Sequence, residues 1–281
     1  MKKTKVYIIK KDLGETNQEV VLRTLNLIPL KKIVSNLEEK VLINPNWVTS
    51  DHSDSGNVTS TETLEGILIY LLEEVKIPPE KITVADGGDS SSTHTTMKLN
   101  DVYRLEEYGV KVIDLNKDDR VNNINIPDPL VLKEVNLAKT AWDASCIISV
   151  PSLKTHSMAE TTLSMKNIMG TILPKGIMHS SIHQKIVDLT SLLRHKMKFQ
   201  LIDGIIGSEG SEIGGSPVRM DVIVAGEDPV AVDCVGSAII GYGPEKAKYL
   251  KFSEKKGLGT ANMEEIEIIG ANIEDVYRKF S

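Results

Sequence analysis

The stretch Cys146-Ile-Ile-Ser-Val-Pro-Ser-Leu-Lys-Thr-His156 decides the fold, because a short apolar run leads there directly into polar and titratable residues. Its first five residues are apolar or small, which is typical of a strand buried on both faces of a parallel sheet. Lysine and histidine are poor turn formers, unlike Asn, Asp, Gly and Pro. Their position after a buried strand indicates a ligand site, since parallel sheets bind ligands at the carboxyl ends of their strands.

Similar short apolar runs recur along the chain and predict further strands. Together with Cys146–Val150, they cover residues 5–9, 40–43, 81–85, 110–115, 199–202, 221–225 and 265–269. Helical patterns lie between many of these runs, at residues 61–75, 158–169, 182–196 and 229–240. The alternation predicts an α/β fold, with a mostly parallel sheet, flanking helices in Rossmann-like layers and a loop-rich elaboration. Since no convincing linker interrupts the 281 residues, we expect a single α/β domain over residues 1–281.

The composition restricts the class of protein. Hydrophobic residues make up 41% and charged residues 26%, which is typical of a globular chain, and the net charge is -6. No basic block is interleaved with aromatic residues, so nothing favours nucleic-acid binding. No apolar run approaches the ~20 residues that span a bilayer, so we expect a cytoplasmic protein without a membrane partner.

The two cysteines, Cys146 and Cys234, have apolar surroundings and do not form a Cys-x-x-Cys pair. We expect both to be buried as small hydrophobic residues. An iron–sulphur cluster held by this chain alone would usually need four thiolates, so the sequence contains no cluster-binding cysteine motif. The residue types leave the cofactor unknown, with a divalent metal as one option.

Polar side chains follow several of the predicted strands. These residues are Asn44, Asn46, Asp86, Lys154, His156 and Asp203. Turn and cap chemistry explains any one of them alone. Together they favour one site, because lysine supplies a cation for an anionic ligand and histidine a titratable imidazole. We therefore interpret Lys154 and His156 as candidate catalytic residues and the others as candidate ligand-binding residues.

Two further segments extend this candidate site. Lys166 and Asn167 lie in a helical pattern ten residues beyond His156, and Lys175 stands between Pro174 and Gly176. Each lysine adds a cation that an anionic ligand would use. The alternative interpretation is a set of solvated surface side chains.

A histidine pair raises the question of a metal. His179 and His183 are four residues apart, and on a helix this spacing places both imidazoles on one face. His179 is therefore a candidate for catalysis and, with His183, for metal binding. The third ligand would come from the set Asp188, Asp203, Glu209 and His156. Capping by Ser180 or Ser181 and anion binding by the histidines are the alternatives.

The segment from Asp203 to Pro217 is rich in glycine, and it contains Glu209. It matches neither a Walker loop nor a dinucleotide fingerprint. We expect a flexible loop that covers the ligand, with a plain surface loop as the alternative. Asp228-Pro229 predicts a helix start, and Asp233 lies one turn further in, where either a buried structural role or a role in the site explains it.

Taken in order, these segments resemble a known family. They are Leu42-Ile-Asn-Pro-Asn46, Val84-Ala-Asp-Gly-Gly88, Val150-Pro-Ser-Leu-Lys-Thr-His156, Ser164-Met-Lys-Asn-Ile-Met-Gly170 and Ala225-Gly-Glu-Asp-Pro-Val-Ala-Val-Asp233. From about residue 40 to residue 259 the chain is similar to the family called domain of unknown function 362 (DUF362). The resemblance implies an intracellular prokaryotic or archaeal protein, in a family of which some members carry a fused ferredoxin-type module with four-iron clusters. This chain lacks that cysteine run, and Asn44 stands where lysine is usual.

Two functions are compatible with these features. The first is an enzyme that acts on a small anionic metabolite through the Lys/His/Asp site, with metal-assisted or redox-linked chemistry left open. The second is a non-catalytic binding module that docks a ferredoxin-like iron–sulphur partner, toward which an acidic protein would be steered.

Overall fold

The computed structural model describes residues 3–28, 30–34, 40–89 and 91–281. Every strand predicted from the sequence is present, together with others. The strands are β1 Thr4–Lys10, β2 Val41–Pro45, β3 Ile82–Asp86, β4 Lys111–Asp114, β5 Arg120–Asn125, β6 Glu134–Ala138, β7 Cys146–Val150, β8 Ser152–His156, β9 Glu160–Thr162, β10 Met197–Glu209, β11 Ser216–Gly226 and β12 Ile266–Gly270.

The main sheet has the strand order β12-β1-β11-β10-β7-β2-β3-β4. Neighbours along this path run parallel, except that β11 is antiparallel to both β1 and β10. In the centre, Ile43 pairs with Ile148 of β7 and with Val84 of β3. The predicted α/β class with a mostly parallel sheet is confirmed.

Helices cover both faces of the sheet. They are α1 Asn17–Leu27, α2 Leu30–Val34, α3 Thr61–Ile69, α4 Thr93–Leu99, α5 Lys139–Asp143, α6 Ser164–Asn167, α7 Ile182–Leu193, α8 Pro229–Ile239, α9 Lys248–Lys255 and α10 Ile273–Val276. Since successive strand residues point to opposite faces, Leu42 packs with α7 and α8 in one core, and Ile43 packs with α1 and α3 in the other. No helix in the described ranges is long and apolar enough to cross a bilayer.

The helix predicted over residues 158–169 is wrong in its first half. The chain there forms β9, which pairs antiparallel with β8, and only then the short α6 and a 3-10 turn at Ile168–Thr171. The polar segment Ser152–His156, expected after a strand, is itself β8 and is buried throughout. β5 and β6, a separate pair of strands, are not among the strands predicted from the sequence.

The glycine-rich segment from Asp203 to Pro217 is mostly not a loop, so that prediction is corrected. β10 and β11 pair antiparallel as far as Glu209 and Ser216, and a turn of six residues joins them. Glycine is needed inside the strand at Gly207, where an added Cβ would lie 2.8 Å from the backbone oxygen of Leu153. Only the tip of the hairpin, residues 210–215, remains as a loop.

Candidate functional site

A cavity of about 280 Å³ opens beyond the carboxyl ends of β2, β3 and β7. It is lined by most of the residues predicted from the sequence. The titratable bases among them are Lys154, Lys166, Lys175, His156 and His179. Asn46, Asp86 and Asn167 line it as well. Loops and short elements that are far apart in the sequence therefore bring eight of the predicted residues to one place.

Lys154 lies at the floor of the cavity, on β8, with no solvent-exposed surface. Its Nζ donates hydrogen bonds to Oδ1 of Asn46 at 2.8 Å and to the backbone oxygen of Asn57 at 2.6 Å. Burial, together with the nearby ammonium of Lys166, lowers the pKa of Lys154 to about 7. Since two acceptors occupy two directions around Nζ, the third direction holds either a proton or a lone pair near neutral pH.

Lys166 extends from α6 into the same cavity. Burial of its ammonium group lowers its pKa to about 8, against the attraction of Glu212 and Asp86. Within the part of the chain that the structure describes, its Nζ has no hydrogen-bond acceptor and no ion-pair partner. Lys166 is half-buried, and an ammonium group without a protein partner in such a cavity favours either the neutral amine or a bound anion.

Asp233 of α8 holds the helix that carries Lys166. Its carboxylate accepts hydrogen bonds from the backbone N–H groups of Ser164 and Met165, at 2.8 and 2.9 Å. Those donors belong to the first turn of α6 and would otherwise be unsatisfied inside the protein. Burial raises the pKa of Asp233 to about 7. The sequence leaves open a structural role and a role in the site, and the contacts of Asp233 are those of a structural role.

Lys175 lies at the start of a 3-10 turn, Lys175–Met178. Its Nζ donates to Oδ1 of Asn116 at 3.0 Å and to the backbone oxygen of Ile172 at 3.1 Å. Burial lowers its pKa to about 8, and Asp86 opposes this effect. Lys154 and Lys175 are thus fixed by hydrogen bonds, whereas Lys166 is not.

His156 presents one defined nitrogen to the cavity. Its Nδ1 accepts hydrogen bonds from the backbone N–H groups of Met158 and Ala159, so the proton of the neutral ring is on Nε2. Burial and the positive charge of Lys166 lower the pKa of His156 to about 3. Nε2 lies 3.8 Å from Oε1 of Glu212. His156 is therefore arranged as a neutral hydrogen-bond donor.

An amide network joins the lysines to the sheet. Asn46 Nδ2 donates to Oδ1 of Asn167 at 2.9 Å, and Asn167 Nδ2 donates to the backbone oxygen of Asn44 at 2.8 Å. Asn44 is fully buried behind the cavity and donates to the backbone oxygen of Ala85. Asp86 accepts from the backbone N–H of Trp47 at 2.8 Å, and burial raises its pKa.

The remaining predicted residues lie outside the cavity. Asp203 accepts hydrogen bonds from Thr63 Oγ1 and Ser60 N at the start of α3, and Glu209 accepts one from the backbone N–H of Ser281. The structure does not bring either residue to the lysines. Asp228 caps α8, as predicted, through the N–H groups of Val230 and Ala231.

The helical geometry expected for the histidine pair is wrong. His179 ends the 3-10 turn Lys175–Met178, Ser181 has a φ of 50°, and α7 begins at Ile182. His183 stacks on the ring of Tyr249, with centroids 6.2 Å apart, while His179 lines the cavity. Asp188, proposed as a third ligand, accepts three backbone N–H groups from residues 130–132. Among the described residues, no group of three or more His, Cys, Asp and Glu is placed to hold a metal ion.

Sequence reasoning missed several residues of the cavity. Thr162 is buried and its Oγ1 has no hydrogen-bond partner in the described structure. Glu212 and Ile213 come from the tip of the β10–β11 hairpin, and Met158 stands beside them. The glycine-rich segment indicates the hairpin tip, but the residue predicted from it is Glu209, whereas Glu212 reaches the cavity. No sequence pattern indicates that Thr162 belongs to the cavity, because its position follows from the pairing of β8 with β9.

Neither cysteine lines this cavity. Cys146 is in β7 and Cys234 is in α8, and both are buried. Burial raises the pKa of each thiol to about 12. The expectation that both behave as small hydrophobic residues is confirmed by their placement.

Comparisons with known proteins place the chain in a family. It is 22% identical over 230 residues to the thylakoid-associated protein sll1697 of Synechocystis sp., an alignment that covers 78% of this chain and 68% of that protein. The lactate racemase apoprotein of Thermoanaerobacterium thermosaccharolyticum superimposes with a TM-score of 0.47 at 15% identity, over 89% of this chain and 57% of that chain. The model of the domain of unknown function DUF362 matches residues 41–238, and the chain belongs to that family.

Proposed function

We propose that the cavity binds a small anionic metabolite. We further propose that the protein is an enzyme which adds a proton to this metabolite or removes one from it. The observation that carries the proposal is the convergence of Lys154, Lys166 and Lys175 in one cavity, with Lys166 lacking any partner among the described residues. Three lysines around one cavity favour an anionic ligand, and they do so against the carboxyl groups of Asp86, Asp89 and Glu212, which line the same cavity.

The size and lining of the cavity support a small ligand. At ~30 Å³ for a water-sized group, about 280 Å³ accommodates on the order of ten such groups. The polar floor continues into an apolar rim that includes Met158, 40% exposed, and Ile213, 64% exposed. Such a combination of a few placed charges and apolar walls is usual for small-molecule sites.

Lys154 is the group best suited to the proton transfer. A general acid or base works best when its pKa is near the operating pH, and the pKa of Lys154 is lowered to about 7. Asn46 and Asn57 hold its Nζ in place through both protonation states. His156 donates a hydrogen bond from Nε2 to the ligand, and the tip of the β10–β11 hairpin closes the cavity beside it. This assigns His156 a positioning role, where the sequence predicts proton transfer, and His179, which also lines the cavity, stays a candidate for that task beside Lys154.

Thermal unfolding tests the binding step. Inorganic phosphate, oxalate and citrate should each be titrated, and at least one should raise the Tm of the wild-type protein. Lys154→Ala and His156→Ala should fold and lose this stabilisation, whereas the exposed Lys98→Ala should keep it. If none of these anions raises the Tm, or if both cavity variants respond as the wild type does, the proposal is wrong.

A further inference from the structure

The three lysines of the cavity differ in one respect. Lys154 and Lys175 each donate two hydrogen bonds to oxygen acceptors, so their amines are held in place. Lys166 donates none to any residue that the structure describes. A lysine used only to hold an anion needs no such freedom, but an amine that forms a covalent bond must keep its lone pair available.

We propose that Lys166 is a nucleophile that forms an imine with a carbonyl group of the anionic ligand. The inference rests on the proposed anion site and narrows its substrate class to small anions that carry an aldehyde or ketone. Lys175 remains to hold the anionic part, while the free amine of Lys166 meets the carbonyl carbon.

The surroundings of Lys166 favour the neutral amine. Removal from water lowers the pKa of Lys166, and this effect outweighs the carboxylates of Glu212 at the hairpin tip and Asp86 at the end of β3, which favour the ammonium form. Removal from water is one of the means by which proteins activate a lysine. With the pKa at about 8 in place of 10.5, the neutral fraction near neutral pH rises on the order of 100-fold.

The protons of the step balance within the lysine pair. Lys166 gives one proton to the amine of Lys154, which already has Asn46 and Asn57 as acceptors and so accommodates the ammonium form. The lone pair of Lys166 then forms the C–N bond, the carbonyl π electrons move to oxygen, and Lys154 returns a proton to that oxygen. A second proton, from the attacking nitrogen, completes a water molecule. Water leaves, a C=N bond remains, and nothing is oxidised or reduced.

Two further groups suit the oxygen of the carbonyl. Thr162 lines the cavity and its buried hydroxyl has no partner in the described structure, and His156 lines the cavity with the proton of its neutral ring on Nε2. Both are able to donate a hydrogen bond to an oxygen that gains negative charge as the C–N bond forms.

Hydride trapping tests the inference on the intact protein. Glyoxylate, an aldehyde that carries a carboxylate, should be added with cyanoborohydride near pH 7.5, and the modified lysines mapped by peptide mass spectrometry. We expect the adduct on Lys166 at least about tenfold faster than on the exposed Lys98. Oxalate should protect Lys166, and the uncharged acetaldehyde should modify it more slowly than glyoxylate does.

The variants separate this inference from the anion site. Lys166→Arg keeps a cation but forms no imine, so it should still be stabilised by oxalate and should give no adduct in the cavity. Lys98→Arg should give the adduct on Lys166 as the wild type does. If oxalate binds and glyoxylate modifies Lys166 no faster than Lys98, the imine is excluded and the anion site stands. If neither oxalate nor phosphate binds and no selective adduct forms, both proposals are wrong.

Discussion

The Nδ1 atom of His156 lies 3.0 Å from the backbone nitrogen of Met158, and this contact fixes both the turn after β8 and the state of the imidazole. Because Nδ1 accepts two backbone N–H groups, the only proton of the neutral ring is on Nε2. The turn and the cavity therefore depend on opposite nitrogens of the same ring.

Two amide substitutions test the roles of Nδ1 and Nε2 separately. In His156→Asn, the side-chain oxygen replaces Nδ1, so the turn is kept and the donor in the cavity is lost. Oxalate affinity should fall on the order of 10- to 100-fold, as for a hydrogen bond to a charged group. In His156→Gln, the amide reaches the place of Nε2, and the turn loses its acceptor at a cost of about 1–3 kcal/mol. Calorimetric titration and urea unfolding measure the two effects, and equal behaviour of both variants would contradict the assignment.

The carboxyl group of Asp86 packs directly against the backbone of Gly170. A Cβ built on Gly170 would lie 1.8 Å from Oδ1 of Asp86, so Gly170→Ala must displace a buried carboxyl group. We expect a loss of about 1–3 kcal/mol in the free energy of unfolding, as for other overpacked interiors, with weaker anion binding. Gly176→Ala is the matched control, because nothing lies within 4 Å of its added Cβ. Equal stability of the two variants in urea would show that the contact is absent.

The sequence is sufficient to predict eight strands of the main sheet, β1–β4, β7 and β10–β12, and the sheet edge at which the cavity lies. Short apolar runs mark strands that are buried on both faces, and the residues after β2, β3 and β7 necessarily meet at one edge of a parallel sheet. Lys154, His156 and Asp86 were identified in this way. The order of the motifs along the chain also predicts that Lys166 and Lys175 belong to the site.

What the sequence did not show depends on pairing between distant strands. β8 and β9 carry too few apolar residues to be recognised, and they are buried because β10 extends past the sheet to pair with β8. The same extension carries Glu212 to the cavity. His179 and His183 show the opposite error. Their spacing of four residues predicts one helix, but Ser181 has a left-handed backbone conformation and α7 begins only at Ile182. Local sequence patterns predict individual strands and helices, whereas contacts between the ends of distant elements depend on the whole fold.

The pKa of Lys154 also predicts how stability changes with pH. In the unfolded chain its pKa is near 10.5 and in the fold it is about 7, so between these values the unfolded state holds a proton that the folded state has released. Stability from this group therefore rises with pH over that range. Lys154→Met removes the effect, so the wild type should gain a few kcal/mol over the variant, at about 1.4 kcal/mol per pKa unit.

Urea unfolding at about pH 6.5 and pH 9.5 measures this difference for both proteins. The variant also leaves Asn46 Oδ1 and Asn57 O without their donor, but that cost is the same at both pH values and cancels in the comparison. Parallel pH profiles for the two proteins would contradict the lowered pKa.

Anion binding should carry the opposite dependence on pH. Lys154, Lys166 and Lys175 have pKa values lowered to about 7, 8 and 8, so they lose charge as the pH rises from about 6 to 9. A bound anion favours the ammonium forms, hence oxalate should bind more weakly at higher pH and should draw protons from the solution near pH 8. Calorimetric titration in two buffers of different ionisation enthalpy measures the uptake directly. Lys175→Arg, whose guanidinium stays charged, should take up fewer protons than the wild type, and an uptake of zero in the wild type would mean that the lysines are already fully charged before the anion arrives.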